Sequence, residues 1–196
     1  MTLTRRQLVL RTGALSASVA LPGLGLPPAL AADDDPKTFD EDTIAKDVTD
    51  FFGSTTEGLA KVIEKAFKEQ GKPNAYIKGE EAGAAITVGL RYGEGHLTMK
   101  SGGTGRVYWA GPSIGFDFGA NAAKTYALIY KLPRVADIYQ RFGGVDGSLY
   151  FIGGAGINYV RRGSIVVAPI RLGVGLRSGA SVGYMHFRRE KSWNPL

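Results

Sequence analysis

The sequence predicts a mainly β fold: a small, soluble, antiparallel β-barrel of about eight strands with one or two α-helices packed on it. Three observations predict it. From Ala75 onward the chain breaks into short runs rich in Val, Ile, Tyr and Phe, separated by the turn signals Gly93-Glu94-Gly95, Gly102-Gly103, Asp146-Gly147, Arg162-Gly163 and Ser178-Gly179. Glycines fall inside apparent strands, at Gly115, Gly119, Gly153, Gly154, Gly156, Gly173, Gly175 and Gly183. Each costs roughly 0.5–1 kcal/mol against alanine there, so sharp barrel curvature, or the close approach of a ligand or packed helix, has to require them. The alternating βαβ order of a parallel sheet is absent.

Residues 1–31 read as a cleaved export signal rather than as part of the fold. Thr4-Arg5-Arg6-Gln7-Leu8 carries the twin-arginine pattern, a mildly apolar run follows, and Ala29-Leu30-Ala31 supplies an A-x-A site, so cleavage is expected near Ala31. A general secretory signal is the alternative route, and either one places the rest of the chain in a bacterial periplasm. Residues 32–53 form an acidic tail and a short helix, and residues 54–196 the single barrel domain. Within it, Ser54-Thr55-Thr56-Glu57 reads as a capping box opening a helix over 55–70, where Leu59, Val62, Ile63, Ala66 and Phe67 make one apolar face that ends at Gly71. Strands are expected at 75–78, 84–92, 96–100, 106–109, 113–119, 124–131, 148–159, 164–177 (with a possible break at Pro169) and 181–188. Pro133 and the spacing of Val135, Ile138, Tyr139 and Phe142 predict an inserted helix over 133–142 that caps one mouth.

The chain contains no cysteine, so packing rather than disulfides must stabilise it in an oxidising compartment. Charge is segregated: residues 33–70 carry eleven acids and five bases, whereas residues 71–196 carry sixteen bases and seven acids, a net +9. The two parts can attract each other, or the basic body can meet anionic lipid heads, lipopolysaccharide or acidic polysaccharide; nucleic acid fits the sign but not the compartment. Arg161, Arg162, Arg171, Arg177, Arg188 and Arg189 are the candidate binding residues, gathered at one rim if the last strands pair as successive hairpins.

Only one pattern points to an enzyme. Gly111-Pro112-Ser113-Ile114-Gly115 spells G-x-S-x-G, and Ser113, Asp137 or Asp146, and His186 follow the chain order of hydrolase triads. A nucleophile elbow needs a turn into a helix at the serine, yet Ile114, Phe116 and Phe118 alternate with Gly115, Asp117 and Gly119 at the period of a strand. Ser113 is therefore read as opening a strand, with no catalytic residue assigned. The two histidines, His96 and His186, have no ligand spacing around them, and the glycine-rich runs complete no phosphate loop, so neither metal nor cofactor is expected.

The segments VYWAGPSIGFDFGANAAKTYALIY, RFGGVDGSLYFIGGAGINYV, APIRLGVGLRSGASVGYMHFRR and the terminal WNPL resemble the alphaproteobacterial family of exported proteins typified by envelope integrity protein A. That resemblance implies a periplasmic β-barrel needed for resistance to envelope stress, with no assigned activity. GLRYGEGHL, YWAGPSIGFDFGANAAKTYALIY and GVDGSLYFIGGAG are also distantly similar in order to the SYLF lipid-binding domain, over about residues 58–188. The expectation is a non-enzymatic periplasmic protein supporting envelope integrity by binding a lipid or anionic glycan. A scaffold for envelope-building enzymes is the alternative, suggested by apolar residues on both faces of 124–131.

Overall fold

The computed structural model describes residues 35, 37–54, 56–84, 88–114, 123–173, 183–192 and 194. The expected export signal, Asp117 and Arg177 lie outside them.

Two helices precede the sheet. Helix α1 (Glu41–Phe52) starts at Asp40, whose carboxylate accepts from Thr43 N at 2.8 Å, and stops at Gly53, whose φ of 75° suits glycine. Helix α2 (Glu57–Gln70) starts two residues later than the expected capping box: Thr56, not Ser54, is the N-cap and accepts from Leu59 N at 3.1 Å. Neither helix is long and apolar enough to cross a membrane.

The strands are β1 (Ala75–Ala84), β2 (Val88–Met99), β3 (Thr104–Ile114), β4 (Ala123–Tyr130), β5 (Arg141–Gly144), β6 (Tyr150–Ile152), β7 (Ala155–Ile157), β8 (Val160–Arg162), β9 (Ile165–Leu172) and β10 (Tyr184–Arg188). Eight of them pair antiparallel in the order β4-β1-β2-β3-β10-β5-β8-β9, and β9 pairs back with β4, which closes the barrel. The β6–β7 hairpin attaches beside β9, its two-residue turn made by Gly153 and Gly154, both at positive φ. Strands β7 and β8 share one register along β9, interrupted at Asn158-Tyr159 where β9 carries Pro169. The proline leaves β9 itself unbroken.

Several expected breaks are strand interior instead. Gly93-Glu94-Gly95 lies within β2, and Ala110-Gly111-Pro112 continues β3 to Ser113 and Ile114, paired with Gly89 and Val88. The expected helix over 133–142 is a single 3-10 turn, Val135–Ile138, followed by β5. Ile138 and Phe142 are buried in the core and Val135 and Tyr139 pack against it, but Gln140 accepts from Phe187 N at 3.0 Å and Phe142 pairs with Met185, so sheet pairing claims the chain before a second helical turn can form.

Alternation along each strand divides the apolar residues into two cores. Ile77, Leu97, Val107, Ala127, Ile129, Phe142, Val160, Val167, Met185 and Phe187 fill the barrel. Tyr126, Leu128, Tyr130, Ile157, Val166, Ala168 and Ile170 point outward beneath Ile44, Val48, Leu59, Val62, Ile63 and Ala66 of the helices. The second apolar face of β4 is thus covered by the chain's own helices. An interior just wide enough for side chains to fill is what eight strands produce. Glycine in the walls serves that filling: a Cβ at Gly79 would lie 2.7 Å from the Trp109 indole, and one at Gly93 would overlap its Cε2, Cζ2 and Nε1.

Candidate functional site

Charged residues occupy the apolar parity of three strands. Glu81 follows Ala75, Ile77 and Gly79 on β1, Arg91 precedes Gly93, Gly95 and Leu97 on β2, and Arg171 follows Ile165 and Val167 on β9. Closure of the barrel brings them together. Arg171 donates Nε to Glu81 Oε1, Nη2 to Glu81 Oε2 at 3.2 Å and Nη1 to Asn158 Oδ1 at 2.9 Å. Trp109 Nε1 donates to Glu81 Oε2 at 3.2 Å, and Arg91 Nε lies 3.4 Å from Oε1. Glu81 and Arg171 are 5% and 9% exposed. Burial pushes the Glu81 carboxyl up, but the two guanidiniums and the hydrogen bonds from Arg171 and Trp109 outweigh it and hold the pKa below the usual carboxylate range. A carboxylate with its acceptors so engaged is a fixed internal clasp rather than a general base.

This placement removes Arg171 from the expected basic rim: it belongs to the interior parity of β9, and its charge is already committed to Glu81. The other described members lie at the end of the barrel formed by the C-termini of β8 and β10. Arg161 and Arg162 are exposed at the β8–β9 turn, Arg188 is half-buried at the end of β10, and Arg189 stacks 4.4 Å over the Tyr139 ring. Arg141, not singled out by sequence, joins them by pairing with His186 and lying 4.5 Å over the Tyr184 ring. Cross-strand register produces this group, and register is not encoded locally.

The hydrolase constellation is not assembled. Asp137 pairs with Arg134 in the 3-10 turn, which packs by Gly103 and Gly105 at the opposite end of β3 from Ser113, about 25 Å away along the strand. Asp146 follows β5 nearer to Ser113, but among the described residues it makes no hydrogen bond or ion pair with His186. Arg188 donates to His186 Nδ1 at 3.2 Å. A triad histidine donates from Nδ1 to a carboxylate, so this nitrogen has the reverse role. Burial and the neighbouring Arg188 and Arg141 lower the His186 pKa.

A cleft of about 210 Å³ opens on the outer face of β1, β2 and β3, where the chain turns back after β10 and residues 190–192 form its far side. Tyr92, Tyr108, Ala82 and Ala110 line it, Gly93, Trp109 and Glu81 of the clasp border it from the interior side, and Glu80, Glu94, Arg188, Glu190 and Lys191 surround it. Sequence reading missed this cleft because its residues come from four strands and a tail. The available signal was the outward series Tyr92, Glu94 and Tyr108, Ala110, visible only once β2 and β3 are read as unbroken.

No curated protein matches the chain. Among solved structures, it is similar to a crystal structure described as a beta-barrel-like, uncharacterized protein from Brucella abortus, with 42% identity and a TM-score of 0.75 over 82% of this chain and 99% of that one. Residues 37–196 match the family described as EipA, envelope integrity protein A. That match spans both helices and all ten strands, and the chain belongs to the envelope integrity protein A family.

Proposed function

We propose that this chain is a non-enzymatic periplasmic protein that supports envelope integrity by holding an anionic envelope component, a glycan or a lipid head group, on the helix-free wall of its barrel. One observation carries the reading. The outward positions of β5, β8 and β10 hold Arg141, Arg161, Tyr184, His186 and Arg188 and no acid, with Arg162 ending β8 and Arg189 just after β10. Among the described residues, Arg141, Arg161 and Arg162 have no carboxylate partner. Burial first, and then the neighbouring Arg188 and Arg141 charges, lower the His186 pKa, so the wall's positive potential contributes to that shift.

Such a wall attracts polyanions through a salt-screened field. Its purified mature form should bind lipopolysaccharide or extracted envelope lipids at low salt and release them at high salt, with Arg141→Ser/Arg161→Ser losing most of the salt-sensitive part. Absence of salt-sensitive binding to either overturns the reading. Neither rival gains support from the fold: the apolar face that suggested a scaffold is covered by α1 and α2, and His186 Nδ1 is held by Arg188 and by neither Asp137 nor Asp146.

A further inference from the structure

We propose that the cleft between the outer wall and residues 190–192 is a saccharide subsite that takes one uncharged pyranose ring. This rests on the reading above and sharpens it, since the basic wall supplies attraction for a glycan but no place where a ring sits. The cleft's volume, about 210 Å³, is below the roughly 300–1,000 Å³ of pockets that enclose drug-sized ligands, which suits one ring of a glycan, its other rings lying outside, and not an acyl chain.

Its chemistry selects against an anion. Glu80, Glu94 and Glu190 surround it against Arg188 and Lys191, so a phosphate or carboxylate placed there would meet more negative than positive charge. A polyol has no such conflict: its hydroxyls donate to carboxylates and accept from a guanidinium. Glu80 and Glu94 face each other directly across β1 and β2, an arrangement that destabilises a sheet. Arg106 relieves Glu94 at 3.2 Å, whereas Glu80 has no cation partner among the described residues; Lys124, beside it on β4, donates to the Phe51 carbonyl at 2.9 Å. An acceptor is thus left open at the rim, above a lining that includes the part-buried Tyr92 and Tyr108; Arg106 lies 5.4 Å over the Tyr108 ring, which leaves the ring's other face and edge as apolar area for a sugar's C–H face.

Trp109 borders the cleft and reports on it. With the other tryptophan removed by Trp193→Phe, the mature protein is titrated with the N-acetylglucosamine trimer at low and high salt. A saturable change in Trp109 emission is expected, with a dissociation constant that salt moves less than about twofold and that Tyr108→Ala and Glu80→Gln each raise about tenfold. Glu80 is exposed, so its variant retains the fold even where Tyr108→Ala does not. No saturable change up to tens of millimolar trimer, or binding that Glu80→Gln leaves unaltered, overturns the subsite. Salt-sensitive lipopolysaccharide binding that Arg141→Ser/Arg161→Ser abolishes would then stand by itself, which separates failure of the cleft from failure of the wall.

Discussion

Replacing Glu81 by glutamine tests the account of the barrel interior most directly. The substitution is nearly isosteric but removes the negative charge that Arg171 and Arg91 face, and its amide NH2 can no longer accept from one of the donors Arg171 Nε, Arg171 Nη2 and Trp109 Nε1. Arg171 would remain 9% exposed with its charge uncompensated. Removing one partner of a buried pair costs about 3–5 kcal/mol. In a domain of this size that is about 6–20 °C of melting temperature. Urea unfolding followed by circular dichroism should show the loss as a lower midpoint at unchanged slope. Glu81→Met combined with Arg171→Met, which removes both charges, should recover much of the loss. A Glu81→Gln midpoint within about 1 kcal/mol of the parent, or a double variant less stable than the single, would refute the claim that the clasp is a charge-compensated buried pair. pH acts through the same group: because its folded pKa is depressed, its stabilisation is complete above the unfolded carboxylate range near pH 4.3 and disappears as pH falls towards the folded value.

Gly93→Ala should cost about 1–3 kcal/mol, read by thermal melting, and alter Trp109 emission, since its Cβ would overlap the indole. Thr56→Ala should cost about 1 kcal/mol by removing the hydrogen bond to Leu59 N that opens α2. In NMR titrations, Arg141→Ser should raise the His186 pKa, as should any anion bound beside it, because Arg141 and Arg188 both lower that value. An unchanged His186 titration in the presence of lipopolysaccharide would mean that the anion binds elsewhere.

The β class, the two-core alternation of β4 and the whole of α2 were legible in sequence because periodicity records them locally. Leu59, Val62, Ile63 and Ala66 fall on one face, and Tyr126, Leu128 and Tyr130 on another, whatever they pack against. Glycine misled the reading of length. Gly93 and Gly95 look like a turn, but in β2 their missing side chains make room for Trp109 and for the Lys78 carbonyl of the neighbouring strand. The segment 133–142 misled for the opposite reason, its helical spacing being satisfied equally by a 3-10 turn leading into a strand. The candidate site was least legible. Arg171 looked like a rim cation, yet it shares parity with Ile165 and Val167, as Glu81 does with Ala75 and Ile77. A charge on the apolar parity of a strand is a readable sign of burial with a partner; the partner's identity requires the register.

The outer core bears on whether this protein could also expose a partner surface. Helix α1 is fastened by Asp47, which accepts from Lys78 Nζ at 2.6 Å and from the Tyr126 hydroxyl at 2.7 Å, and by Ile44 and Val48, both fully buried. Burial, with the bond to Asp47, drives the Tyr126 pKa up, so the phenol remains a donor throughout the physiological range. Asp47→Ala leaves Tyr126 without its acceptor and should cost about 1–3 kcal/mol. Ile44 and Val48 contribute roughly 1.5–3 kcal/mol each, so the helix should stay docked on average but open locally more often. Hydrogen exchange should then show α1 amides losing protection by one to two orders of magnitude while the β2 and β3 amides keep theirs. Equal loss in α1 and the barrel would show that the helix is integral to a single cooperative unit. In that case the apolar wall under α1 is never presented to another protein.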